Sequence, residues 1–114
     1  MTLLQILQIV VALATIATGL ASLLRPRAVR GFTGLTVDNP RGITEIRAVL
    51  GGTFIGLGLA PLLLNTTAAY QMLGITYLAI GLARAASMFI DKSVVQSNII
   101  SLAAEAVFVA ILLL

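Results

Sequence analysis

The stretch IISLAAEAVFVAILLL, residues 99–114, decides the fold, because one carboxylate, Glu105, stands inside an otherwise apolar run. A run of this kind reads as a helix in hydrocarbon, where a carboxylate has no water to solvate it and needs a partner. Three more ionisable residues, Glu45, Arg47 and Arg84, fall at comparable places in two other apolar segments. The charges are therefore expected to meet one another.

Composition supports the same solvent for the rest of the chain. Hydrophobic residues make up 60% and charged residues 10%, and the mean hydropathy is +1.12. These values predict an integral membrane protein. The 114 residues hold four spans of about 20 residues and no separate soluble domain. One domain over 1–114 is expected, an all-α four-transmembrane-helix bundle with spans at about 3–24, 43–64, 68–90 and 97–114. The breaks fall at Arg25-Pro26-Arg27, Asn39-Pro40-Arg41-Gly42, Asn65-Thr66-Thr67 and Asp91-Lys92-Ser93, and Ser97 reads as the N-cap of the last span. Span one reads as a retained helix, not a signal peptide: it is long, it has no basic leading region, and Gln5 and Gln8 interrupt it.

Neither cysteine nor histidine occurs, so disulfides, thiolate chemistry and the common nitrogen and sulfur metal ligands are excluded, and no cofactor is expected. The net charge of +3 comes from arginine and lysine in turns between spans, which fix topology and do not form a nucleic-acid surface. Arg25, Arg27, Arg30 and Arg41 lie in the first connection, Lys92 lies in the third, and the second carries no charge. A multi-pass protein of the bacterial inner membrane with both termini away from the cytoplasm is expected. Val29, Phe32, Leu35 and Val37, interleaved with the arginines of the first connection, make it the expected surface for anionic lipid.

Helical spacing groups the polar residues. Gln5, Gln8, Ala12, Thr15, Gly19 and Ser22 form a narrow stripe along span one. Tyr70, Gly74, Tyr77, Gly81 and Arg84 do so along span three, and Asn98, Ser101 and Glu105 along span four. Small and polar residues are what hold helices together in lipid, so these stripes are expected to face inward. Span two carries two glycine faces, Arg47 with Gly51 and Gly58, and Glu45 with Gly52 and Gly56. Glu45 and Arg47 are about 200° apart on an α-helix, so each needs a partner elsewhere. Gly52 and Gly56 serve either tight packing within the monomer or contact with a second copy of the chain.

At a rise of about 1.5 Å per residue, Arg47 and Arg84 lie about 8 and 9 Å from their cytoplasmic helix ends, and Glu105 about 12 Å from Ser97. An unpaired charge near the bilayer centre costs about 3 kcal/mol, which favours an Arg47–Glu105–Arg84 cluster. Its functional reading is a polar site for a ligand, ion or proton; its structural reading is a clamp on helix register. Tyr70 and Tyr77 either line a cavity beside it or act as interface anchors or core residues.

The residues Glu45-Ile46-Arg47-Ala48-Val49-Leu50-Gly51-Gly52, then Gly81-Leu82-Ala83-Arg84, then Glu105 resemble a family of small four-helix bacterial membrane proteins. It is known as domain-of-unknown-function family 4345. The resemblance covers nearly the whole chain; it implies a four-span membrane protein, implies no activity, and encourages treating Arg47, Arg84 and Glu105 as one unit. An internal echo, Ala17-Thr18-Gly19-Leu20-Ala21-Ser22 against Ala79-Ile80-Gly81-Leu82-Ala83-Arg84, allows two related helical hairpins.

Three classes of function stay open. One is a binding or accessory protein that accepts a lipid or small apolar ligand around a polar anchor. Another is a small oligomeric transporter or channel that uses Glu105 as a proton or cation site. An enzyme is disfavoured, since no nucleophile–base grouping is visible.

Overall fold

The computed structural model describes residues 1–114, and the chain is all-α. Helix α1 spans Leu3–Leu24, a single 3-10 turn covers Pro26–Ala28, and α2 is the short helix Val29–Thr33. Helix α3 runs continuously over Pro40–Leu64, α4 over Thr67–Ile90 and α5 over Gln96–Leu113. Four of these five helices are long and apolar enough to cross a membrane, at 22, 25, 24 and 18 residues. At about 1.5 Å per residue even the 18-residue α5 reaches about 27 Å, close to a hydrocarbon thickness of about 30 Å. No more than 28% of the most apolar window of any of them is buried. Side chains such as Leu63, Phe89 and Ile90, each 78% exposed, therefore need an apolar solvent.

Local chemistry sets the helix ends. The second span begins three residues earlier than its hydrophobic pattern indicates, because Asn39 and Pro40 start the helix and are not a turn ahead of it. Asn39 is extended and its Oδ1 accepts from the Gly42 N–H at 2.8 Å, while Pro40 takes the first turn, where a missing N–H costs nothing. Thr66 caps α4 in the same way, its hydroxyl accepting from the Ala69 N–H at 3.2 Å. Between α3 and α4, Asn65 adopts the left-handed conformation (φ 50°) and donates its N–H to Pro61 O at 2.9 Å. Ser97 is not the cap of the last span. Val95 holds that position in extended conformation, and Ser97 lies within the first turn. The turn ahead of it is closed instead by the Ser93 N–H bonding Met88 O at 2.9 Å, with Lys92 left-handed.

Within α3, residues Ile46–Gly52 are wound as a π-helix. Its bonds join residues five apart, which winds the segment more loosely than an α-helix. Ile46 and Gly51 are both buried, and Arg47 and Gly52 are both exposed. The α-helical spacing that groups Arg47 with Gly51 and Gly58 does not apply through this segment, and Arg47 is exposed where Gly51 and Gly58 are buried.

The chain divides into two compact units. One unit, 9–65, contains most of α1, the connection and α3. Here backbone meets backbone: a Cβ on Gly19 would stand 2.6 Å from Gly51 O, and one on Gly58 would stand 2.6 Å from Ala12 O. Only glycine permits that approach. Ala12, Thr15, Gly19 and Ser22 of the small-residue stripe are buried. The hydroxyls of Thr15 and Ser22 donate to carbonyls one turn back, at Val11 and Thr18.

The other unit comprises 1–8 and 66–114, with α4 and α5 packed as an antiparallel hairpin. Gly74 lies under Leu112 and Leu113, the Tyr77 and Phe108 rings meet edge to face at 5.2 Å, and Gly81 faces Leu102 and Glu105. Gln8, from the start of α1, donates to Ile111 O at 3.1 Å.

Candidate functional site

The ladder of contacts between α4 and α5 ends, toward the Asp91–Ser93 turn, in the charged part of the hairpin. Arg84 donates from Nε to both carboxylate oxygens of Glu105, at 2.8 and 3.1 Å, and its Nη2 stands 2.7 Å from Oε1. Its Nη1 donates to Asn98 Oδ1 at 3.0 Å, and Asn98 Nδ2 donates onward to Ser93 O at 2.9 Å. The group therefore runs from a carboxylate on α5, through a guanidinium on α4, to the backbone of the connecting turn.

Sequence spacing explains why these side chains meet. Arg84 stands six residues from the end of α4 and Glu105 nine residues into α5, about 9 and 14 Å along their helices. The long arginine side chain covers the difference. Gly81, one turn before Arg84, leaves room: a Cβ there would meet Glu105 Oε2 at 3.7 Å, an ordinary contact. The carboxylate lies flat against the helix that supplies its counter-charge.

Exposure divides the pair unequally. The Glu105 side chain is 9% exposed and the Arg84 side chain 31%. No buried side-chain polar atom lacks a partner. A guanidinium has five N–H donors. Nε–H and one on Nη2 face Glu105 and one on Nη1 serves Asn98, so one N–H on each Nη makes no hydrogen bond within the chain.

The other residues singled out from sequence fall elsewhere. Glu45 pairs with Arg41, one turn earlier on α3, in an ion pair whose side chains are 51% and 74% exposed, so it does not need a partner from another span. Arg47, grouped by sequence with Arg84 and Glu105, is exposed and takes part in no ion pair. Tyr70 is half-buried near the start of α4, and Tyr77 is buried against Phe108. Gly51, Gly58 and Gly74 are buried at close contacts, Gly81 borders Glu105, and Gly52 and Gly56 are exposed with open space around them.

Asn98 is the residue whose role in the group sequence reasoning missed. It belongs to the polar stripe of the last span, seven residues before Glu105, a spacing of two helical turns that was a usable signal. No cluster of three or more potential metal-ligating side chains occurs.

A family model described as "Domain of unknown function (DUF4345)" matches residues 3–114. No curated protein and no solved structure matches the chain.

Proposed function

Because this chain belongs to the family described as Domain of unknown function (DUF4345), whose description supplies no activity, we infer its function from its own side chains. We propose that it is a small bacterial integral membrane protein that binds the polar end of an amphiphile, a lipid or a small apolar ligand with an anionic group, at Arg84. The observation that carries this reading is the unequal exposure of the Arg84–Glu105 pair, 31% against 9%. Here the acid is buried and the base keeps two N–H donors at the edge of the group.

The chemistry is simple. Glu105 and Asn98 fix the guanidinium plane, and the outward N–H groups form a fork suited to a carboxylate or phosphate oxygen. Apolar α4 and α5 surface, including Leu82 at 64% and Ile100 at 60% exposed, accepts the hydrocarbon part. The excess of arginine in the first connection supports a cytoplasmic location for it, with both termini on the far side of the cell membrane.

The test is extraction of the purified protein in a mild neutral detergent, followed by native mass spectrometry and lipid analysis of what remains bound. Wild type is expected to retain an anionic amphiphile that Arg84→Gln releases and Arg84→Lys partly keeps, with helix content unchanged in all three. Equal retention by wild type and Arg84→Gln, or none by wild type, would overturn the reading.

A further inference from the structure

The connection between α1 and α3 is longer than a turn needs, and it is folded. Pro26 and Val29 are buried beneath it, Val29 completely. Gly34, left-handed at φ 76°, ends α2 and donates its N–H to Arg30 O at 3.0 Å. The Thr33 hydroxyl fixes the reversal, donating to Val29 O at 2.7 Å and accepting from the Leu35 N–H at 3.1 Å. Residues 35–38 thereby return beside Arg27 and Arg30 before Asn39 starts α3. The result is a pocket of about 310 Å³ walled by Arg27, Arg30, Thr36 and Asp38, with Pro26 and Leu35 as apolar lining.

Three features identify an occupant. Between residues 25 and 41 there are four arginines and one acid, Asp38, a net charge of +3. Arg41 is committed to Glu45, whereas the guanidinium groups of Arg27 and Arg30 make no hydrogen bond or ion pair within the chain. Phe32 and Leu35, on the same connection, are 48% and 49% exposed. A segment joining two membrane-crossing helices lies at the membrane surface, where apolar side chains enter the acyl boundary and arginines meet phosphates.

We propose that this pocket binds the headgroup of an anionic glycerophospholipid. Arg27 and Arg30 take the phosphate oxygens, the Thr36 hydroxyl donates a further bond, and Asp38 accepts from a headgroup hydroxyl. Leu35 and Phe32 lie along the first carbons of the chains. The site is on a different unit from Arg84 and stands independently of the function assigned there.

The experiment uses the full chain in neutral detergent micelles, titrated with phosphatidylglycerol, phosphatidylcholine or inorganic phosphate and followed by native mass spectrometry. Tighter binding of phosphatidylglycerol than phosphatidylcholine is expected. Arg27→Gln with Arg30→Gln should weaken it roughly thirty-fold, from about 1 kcal/mol for each basic residue. The same loss should appear when the Arg27 and Arg30 changes are made in an Arg84→Gln background, which removes the other proposed anion site; Arg27→Lys with Arg30→Lys should restore part of the binding, and millimolar inorganic phosphate should not displace the lipid. Equal affinity for the two lipids, undiminished binding by the folded double glutamine variant, or full displacement by inorganic phosphate would each overturn the proposal; the last would mean a site for free anion.

Discussion

Removing one partner of the Arg84–Glu105 pair should cost more than removing both, and the two single losses should be unequal. Arg84→Met strands a carboxylate whose side chain is 9% exposed, whereas Glu105→Leu strands a guanidinium that is 31% exposed and long enough to turn toward headgroups. Breaking a fully buried pair costs about 3–5 kcal/mol. The partial exposure of Arg84 lowers that, giving about 3 kcal/mol for Arg84→Met and about 2 kcal/mol for Glu105→Leu. The double variant replaces the ion pair by two apolar side chains of similar volume and should fall within about 1 kcal/mol of wild type. The assay is reversible unfolding in mixed micelles on titration with a denaturing detergent, followed by helical circular dichroism. The coupling should be about 4–6 kcal/mol in the direction of rescue. Additivity of the two single losses within about 0.5 kcal/mol would refute the pairing.

Other consequences follow from packing and topology. Gly58→Ala drives a Cβ to 2.6 Å from Ala12 O and Ile16 Cγ1 and should destabilise by about 1–3 kcal/mol, whereas Gly52→Ala and Gly56→Ala, with open space around them, should be neutral or stabilising by up to about 1 kcal/mol; thermal melts in detergent compare the three. Asn39→Ala removes the cap on α3 and should cost about 0.5–2 kcal/mol, with faster amide exchange confined to 41–43. The chain has no cysteine, so single cysteines placed at Thr36 and Thr67 can be labelled cleanly in intact cells. A membrane-impermeant thiol reagent should reach Thr67→Cys and not Thr36→Cys, and the reverse pattern would invert the topology.

Much of this was legible in the sequence for one reason: in hydrocarbon, small and polar residues gather on the packed side of a helix. Of the span-one stripe, Ala12, Thr15, Gly19 and Ser22 are buried while Gln8 is half-buried and Gln5 exposed, and Gly74, Tyr77, Gly81 and Arg84 are the α4 residues that meet α5. Span two was read less well. Its face assignment assumed about 100° per residue, and the π-wound Ile46–Gly52 segment breaks that spacing, leaving Arg47 exposed while Gly51 is buried. The partner of Glu45 was overlooked although Arg41-x-x-x-Glu45 has the spacing of a helical ion pair, because 40–42 were read as turn when they are already helix. The internal echo stops at the polar positions, where Ser22 bonds its own helix at Thr18 O and Arg84 reaches across to α5. The pocket in the connection depends on a chain reversal at Gly34, a backbone event that side-chain pattern alone does not announce.

The account rests on a guanidinium of α4 and a carboxylate of α5 neutralising each other within the hydrocarbon layer. The most direct measurement is solid-state NMR on the protein in lipid bilayers, with ¹⁵N-labelled arginine and ¹³C-labelled glutamate. Dipolar recoupling should show a direct contact between an arginine side-chain nitrogen and the Glu105 carboxylate carbon, as the Nε···Oε1 separation of 2.8 Å requires, that vanishes in Arg84→Met while the signal from Arg41 and Glu45 persists. A Glu105 carboxylate with no arginine nitrogen within about 5 Å would contradict it, since no hydrogen bond extends that far.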